Sequence, residues 1–167
     1  VLTARGVGPT GVVGEPFTLL AFEGVDCLRP AVAVAANGAV AYAGNLGVQV
    51  HVLGAPSVGT PEPSATWLET TGSQGLPALT FLGDADTLAL AMIDNLTGAG
   101  EPHIAVHLLG DGLDPTTSVV SLGDDPQLPP YPPAIAYGAG VLAVAWTQRT
   151  EDGFEIHLSR FDAAPTQ

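Results

Sequence analysis

Short runs rich in Val, Ile, Leu, Ala and aromatics, each four to eight long, recur along the chain between Gly, Pro, Asn and Asp clusters. Apolar runs of that length bounded by turn-forming residues predict β-strands. Helical periodicity is nearly absent, because no segment of a dozen residues repeats apolar positions at i, i+3, i+4 and i+7 without a Gly or Pro breaking it. In "AVAVAANGAVAYAGN" the Asn37-Gly38 pair sits between two such runs and marks a tight hairpin.

The runs repeat. The segment 29–54 can be laid on 76–110 and on 132–161, and each copy has one grammar. A Pro-Ala step (Pro30-Ala31, Pro77-Ala78, Pro133-Ala134) opens strand A, and a turn follows at Asn37-Gly38, Gly83-Asp84 or Gly138-Ala139. Strand B ends in Tyr42, Met92 or Trp146, and strand C closes on an apolar residue and His: Val50-His51, Val106-His107, Ile156-His157. Connecting strands D are expected at 64–71 and 116–123, and a further one at 15–23 precedes the first copy. The chain reads as one repeat domain, 1–167, with copies at about 28–71, 75–123 and 131–162 and with 15–23 as a lone closing strand.

Four antiparallel strands in roughly 40–50 residues is the period of a β-propeller blade. The expected fold is therefore all-β, with about three four-stranded propeller blades; a β-sandwich is the alternative, although it requires no self-similar copies. The repeat resembles those of bacterial secreted β-propeller proteins, with "AVAWTQRTEDGFEIHLSRF" its clearest copy. The WD40-type Gly-His and Trp-Asp dipeptides, the kelch glycine pairs and the sialidase Asp-box are absent. Closed propellers generally hold four to eight blades. Three blades alone would leave two broad apolar sheet faces, an association surface. The expected partners are accordingly the chain itself or another propeller chain, as in a six-bladed ring made by two chains; the alternative is that the sequence is a piece of a longer propeller.

Charge narrows the ligands. Seventeen acidic residues face four arginines and no lysine, for a formal net charge of -13, which repels phosphate backbones and anionic lipid and argues against nucleic-acid binding. No apolar run reaches the roughly 18 residues of a membrane-spanning helix, so membrane insertion is not expected. The Gly- and Pro-rich, lysine-free composition fits an exported protein, secreted or in the cell envelope, of a bacterium with a GC-rich genome, and the first residue, Val rather than Met, fits a processed or excised product. Cys27 is the single cysteine, which excludes an intrachain disulfide.

The candidate chemistry is thin. His51, His107 and His157 stand at repeated positions and imidazole is a good metal ligand, but alternation and repetition favour blade packing. Asp84, Asp86, Asp124 and Asp125 lie in oxygen-rich turns of the kind that hold Ca2+, yet none follows a full calcium-loop spacing and Asp before Gly or Pro is ordinary turn chemistry. No cofactor is expected, with calcium in one loop as the alternative. Trp67 and Trp146 offer flat faces to a sugar ring, against a competing role in the core. No catalytic residue is assigned, since neither a nucleophile elbow nor a phosphate-binding loop occurs. The function expected is a non-enzymatic propeller module for binding or assembly; the alternative is a carbohydrate-active propeller, either a lectin-like binder or part of a glycoside hydrolase.

Overall fold

The structure, a computed structural model, describes residues 2–4, 11, 17–20, 27–36, 40–46, 49–55, 64–67, 75–83, 87–95, 102–110, 115–122 and 131–162. Thirteen strands form among them. They are β1 (Leu2–Ala4), β2 (Phe17–Leu20), β3 (Cys27–Val34), β4 (Val40–Leu46), β5 (Gln49–Ala55), β6 (Ser64–Trp67), β7 (Gly75–Leu82), β8 (Thr87–Asp94), β9 (His103–Leu109), β10 (Pro115–Leu122), β11 (Ala134–Gly138), β12 (Val141–Thr150) and β13 (Gly153–Asp162).

Their pairing is wholly antiparallel and sequential. A first sheet runs β3-β4-β5-β6, a second β7-β8-β9-β10 and a third β11-β12-β13. Each sheet is one copy of the repeat, so the A, B, C, D order of the sequence is also the order of neighbours in space. The strand at 15–23 behaves differently from expectation. Its described part, β2, pairs with β1 in a separate two-stranded sheet, with Thr18 opposite Thr3 and Phe17 opposite Ala4, and does not pair with β13.

The Pro-Ala step has a mechanical basis. In the first sheet the three-residue step from Leu28 to Ala31 opposes the two-residue step from Asn45 to Ala43, and in the second the step from Gly75 to Ala78 opposes that from Ile93 to Ala91. In the third, the Tyr131 N–H donates to the Thr147 carbonyl at 2.8 Å while Ala134 pairs with Ala145. All three strands A therefore begin with a one-residue bulge. Proline fits there because a bulge removes the need for a ladder donor that proline lacks. After the bulge, the Ala of Pro-Ala pairs in every copy with an Ala of strand B: Ala31 with Ala43, Ala78 with Ala91, and Ala134 with Ala145.

The three sheets stack face to face in chain order. One core joins the first sheet to the second, with Ala33, Ala41, Ala43, Val50 and Val52 on one side and Leu79, Leu88, Leu90, Met92, Ala105 and Leu109 on the other. A second core joins the second sheet to the third, bringing Ala89, Ala91, Ile93, Ile104 and Val106 against Leu142, Val144 and Trp146. Strand β8 has a neighbour on each face and is buried at every position after Thr87, whereas β12, covered on one face, alternates buried and half-buried residues as far as Gln148. Buried alternation on one strand and continuous burial on the other is what one covered face and two covered faces require.

A two-residue hairpin joins β11 to β12. Gly138 pairs with Val141, leaving Ala139 and Gly140 as the two turn residues, both with positive φ, 51° and 77°. That is the primed geometry whose twist matches two antiparallel strands.

Candidate functional site

The bulged alanines supply a common origin for comparing the three sheets, because pairing fixes every equivalent position from there. Val50, Ile104 and Ile156 are equivalent, lying opposite Asn45, Ile93 and Thr147; so are Val52, Val106 and Leu158, opposite Ala43, Ala91 and Ala145. These positions all belong to the face that each sheet turns toward the next sheet in the chain. On the first two sheets they are buried; on the third, Ile156 and Leu158 are 83% and 62% exposed.

The faces are asymmetric. The face toward the following sheet carries alanines on strands A and B (Ala31, Ala33, Ala41 and Ala43 in the first sheet; Ala89 and Ala91, beside Leu82 and Ile93, in the second) and Val or Ile on strand C, with Leu108 beside them in the second. The face toward the preceding sheet carries the bulk: Leu79, Leu88, Leu90 and Met92 in the second sheet, and Ile135, Tyr137, Leu142, Val144 and Trp146 in the third. Each interface thus sets large side chains against a floor of alanines.

Both outer faces keep this pattern. On the third sheet the following-type face presents Ala134, Ala136, Ala143 and Ala145 together with Ile156 and Leu158, and Phe154 extends it at 64% exposure. On the first sheet the preceding-type face presents Val32 and Val34, both exposed, next to Val40 and Tyr42 in the register. Val32 and Val34 are equivalent to Leu79 and Phe81 of the second sheet. Arg149 and Arg160, two of the four arginines of the chain, lie on the exposed face of the third sheet with Asp162.

His51, His107 and His157 are not brought together. Each belongs to a different sheet, and among the described residues no group of three His, Cys, Asp or Glu side chains is placed to hold a metal ion. The register also corrects the alignment of the copies. His51 and His157 are equivalent, opposite Gly44 and Trp146, but the residue at that place in the second sheet is Ala105, and His107 lies two residues further on, opposite Leu90. In the same way the equivalent of Met92 and Trp146 is Gly44, and Tyr42 corresponds to Leu90. The slip is by two, so period-two alternation conceals it.

His157 stacks on its cross-strand partner Trp146, ring centroids 5.3 Å apart with 21° between planes. Its Nε2 lies 3.5 Å from the Glu155 carboxylate, an ion-pair separation without hydrogen-bond geometry. Trp146 is buried in the core between the second and third sheets, with one face taken by the imidazole, and offers no open platform for a sugar. His107 is also buried, and its Nε2 has no hydrogen-bond partner within the protein. Burial pushes its pKa below the ordinary 6.5, an effect opposed by the Asp94 carboxylate and reinforced by His103. Asp94 and His103 face each other across β8 and β9, and the Asn95 N–H donates to Asp94 Oδ1 at 2.9 Å. This partly polar corner of the second sheet escapes sequence reading, since only the spacing of His103 and His107 on one strand face hints at it.

The remaining candidates fall elsewhere. Asp84, Asp86, Asp124 and Asp125 lie outside the described residues. Trp67 pairs with His51 at the β5-β6 edge, and the structure describes the backbone of both.

No protein-family model matches the sequence, and no curated protein matches it. Solved structures do. An α-L-arabinanase from Penicillium chrysogenum, complexed with arabinobiose, matches with a TM-score of 0.60 at 16% identity over 81% of this chain and 46% of its own. An α-L-arabinofuranosidase from Fusarium graminearum, complexed with an iminosugar inhibitor, matches with a TM-score of 0.60 at 13% identity over 82% of this chain and 45% of its own. The E242A mutant of the α-L-arabinofuranosidase, also with an iminosugar, gives a TM-score of 0.61 at 12% identity over 81% and 45%. At such identities the likeness is one of fold, and the chain spans a little under half the length of these structures. It is a partial β-propeller of about three blades.

Proposed function

We propose that this chain is a non-enzymatic propeller module whose function is assembly: its two outer sheet faces bind further propeller blades and so complete a larger ring. One observation carries this reading. Ile156 and Leu158 are exposed at the positions where Val50 and Ile104, and Val52 and Val106, are buried against a neighbouring blade. A contiguous apolar patch of this kind on a sheet face marks an association site. At about 25 cal/mol per Å² of apolar area, leaving two such side chains in water forgoes roughly 3–6 kcal/mol that a covering blade would supply. The test is an apolar fluorescent dye added to dilute protein. Dye emission should rise with the intact chain and fall by more than half with Ile156→Arg or Leu158→Arg; emission that ignores both substitutions overturns the reading.

A second reading is favoured by the structural neighbours, whose names place all three on arabinose-containing substrates. Under it the completed propeller is carbohydrate-active, as a lectin-like binder or as part of a glycoside hydrolase. Glycan-array binding without turnover supports the binder, and release of arabinose from arabinan that a single carboxylate substitution abolishes supports the hydrolase. Absence of both leaves assembly as the function.

A further inference from the structure

We infer that the blade bound by the exposed face of the third sheet is the first sheet of a second copy of this chain, and that two copies close head to tail into one six-bladed ring. The inference rests on the assembly reading and names its partner.

Continuity with the interfaces already inside the chain carries the argument. The first sheet meets the second, and the second meets the third, through one repeated contact: an alanine floor with β-branched residues on strand C receives the bulky face of the next blade. The third sheet ends the series with an unoccupied floor of Ala134, Ala136, Ala143 and Ala145 flanked by Ile156 and Leu158, and the first begins it with the uncovered larger face of Val32 and Val34. The two halves of one interface are thus displayed at opposite ends of the same chain. A heterologous contact of this kind closes only if the rotations sum to a full turn.

Two copies of three blades make six, inside the workable range of four to eight.

The contact has a defined polarity, and this makes it testable by cross-linking. Ala136 is equivalent to Ala33, and Val32 to Leu79, and Ala33 and Leu79 share the core between the first and second sheets. In a Cys27→Ser background, single-cysteine chains Ala136→Cys and Val32→Cys are mixed and treated with a short bis-maleimide. The mixture should give a covalent dimer and each chain alone none; the doubly substituted chain should give a product that stops at two chains. Native mass spectrometry of the unaltered chain, which needs no substitution, should show twice the 16.9 kDa mass. A monomer at every concentration, an open-ended ladder of masses, or cross-linking by Val32→Cys alone overturns the inference. A monomer whose exposed face still binds the apolar dye leaves the assembly reading standing with a different polypeptide as occupant, whereas loss of dye binding removes both.

Discussion

Ile156 and Ile104 are the same residue at the same place in two blades, opposite Thr147 and Ile93 respectively, yet Ile104 is fully buried and Ile156 is 83% exposed. The difference lies in what stands beyond them. Beyond Ile104 is the third sheet; beyond Ile156 the described residues place no sheet.

That pair makes a matched experiment. Ile104→Ala should cost about 2–5 kcal/mol in urea unfolding, the range for emptying a filled core position. Ile156→Ala should cost less than about 0.5 kcal/mol in dilute protein, where nothing covers it. At concentrations where the chain associates, the Ile156→Ala cost should rise with concentration while that of Ile104→Ala stays constant.

Alanine is required at the floor positions by the bulk that rests on them. Ala91→Leu, in the middle sheet with 0% exposure, should overpack the second core and cost about 1–3 kcal/mol. Ala145→Leu, its equivalent on the third sheet, should leave the stability of the isolated chain unchanged and reduce association, as measured by sedimentation velocity.

His107 gives the protein a slope in its pH dependence. Its pKa in the folded chain lies below 6.5 because burial disfavours the imidazolium. The unfolded chain therefore takes up this proton first as the pH falls. Stability from this group is complete above about pH 6.5 and declines below it, levelling off once the pH passes the lowered folded value. Urea midpoints measured from pH 8 to pH 5 should fall, and His107→Gln should flatten that fall.

At the β11-β12 turn, Ala139 sits at φ 51°, where an L side chain crowds the following carbonyl. Ala139→Gly should raise stability by about 0.5–1 kcal/mol, read as a higher urea midpoint with unchanged slope, because the primed turn favours glycine there.

Strand order and the three Pro-Ala starts are legible in the sequence because they depend on alternation and on residues with special backbone rules. Proline at 30, 77 and 133 could announce a bulge before any coordinates existed. That His107 is not the equivalent of His51 and His157 was not legible, since a shift of two residues keeps every side chain on its expected face and leaves the hydrophobic pattern intact. Which sheet faces carry bulk was partly legible: the alanine-rich stretches are plain at 31–43 and 143–145, but only packing shows that they all look the same way along the stack. The pairing of β2 with β1 was hidden as well, because Leu2–Ala4 is too short for periodicity to register.

The alanine floors also bear on geometry at the scale of the whole ring. On the face toward the next sheet the first sheet sets alanines on strands A and B and the second sets Ala89 and Ala91 on strand B, while Val50 and Val52, or Ile104 and Val106, add bulk at strand C. A thin inner edge and a thick outer edge make each blade a wedge, and the taper of that wedge sets the angle between successive blades. Side-chain volume along one strand face is thereby a ruler for curvature, so enlarging the inner alanines in all three copies together would open the angle at the axis and favour a ring with a different number of blades.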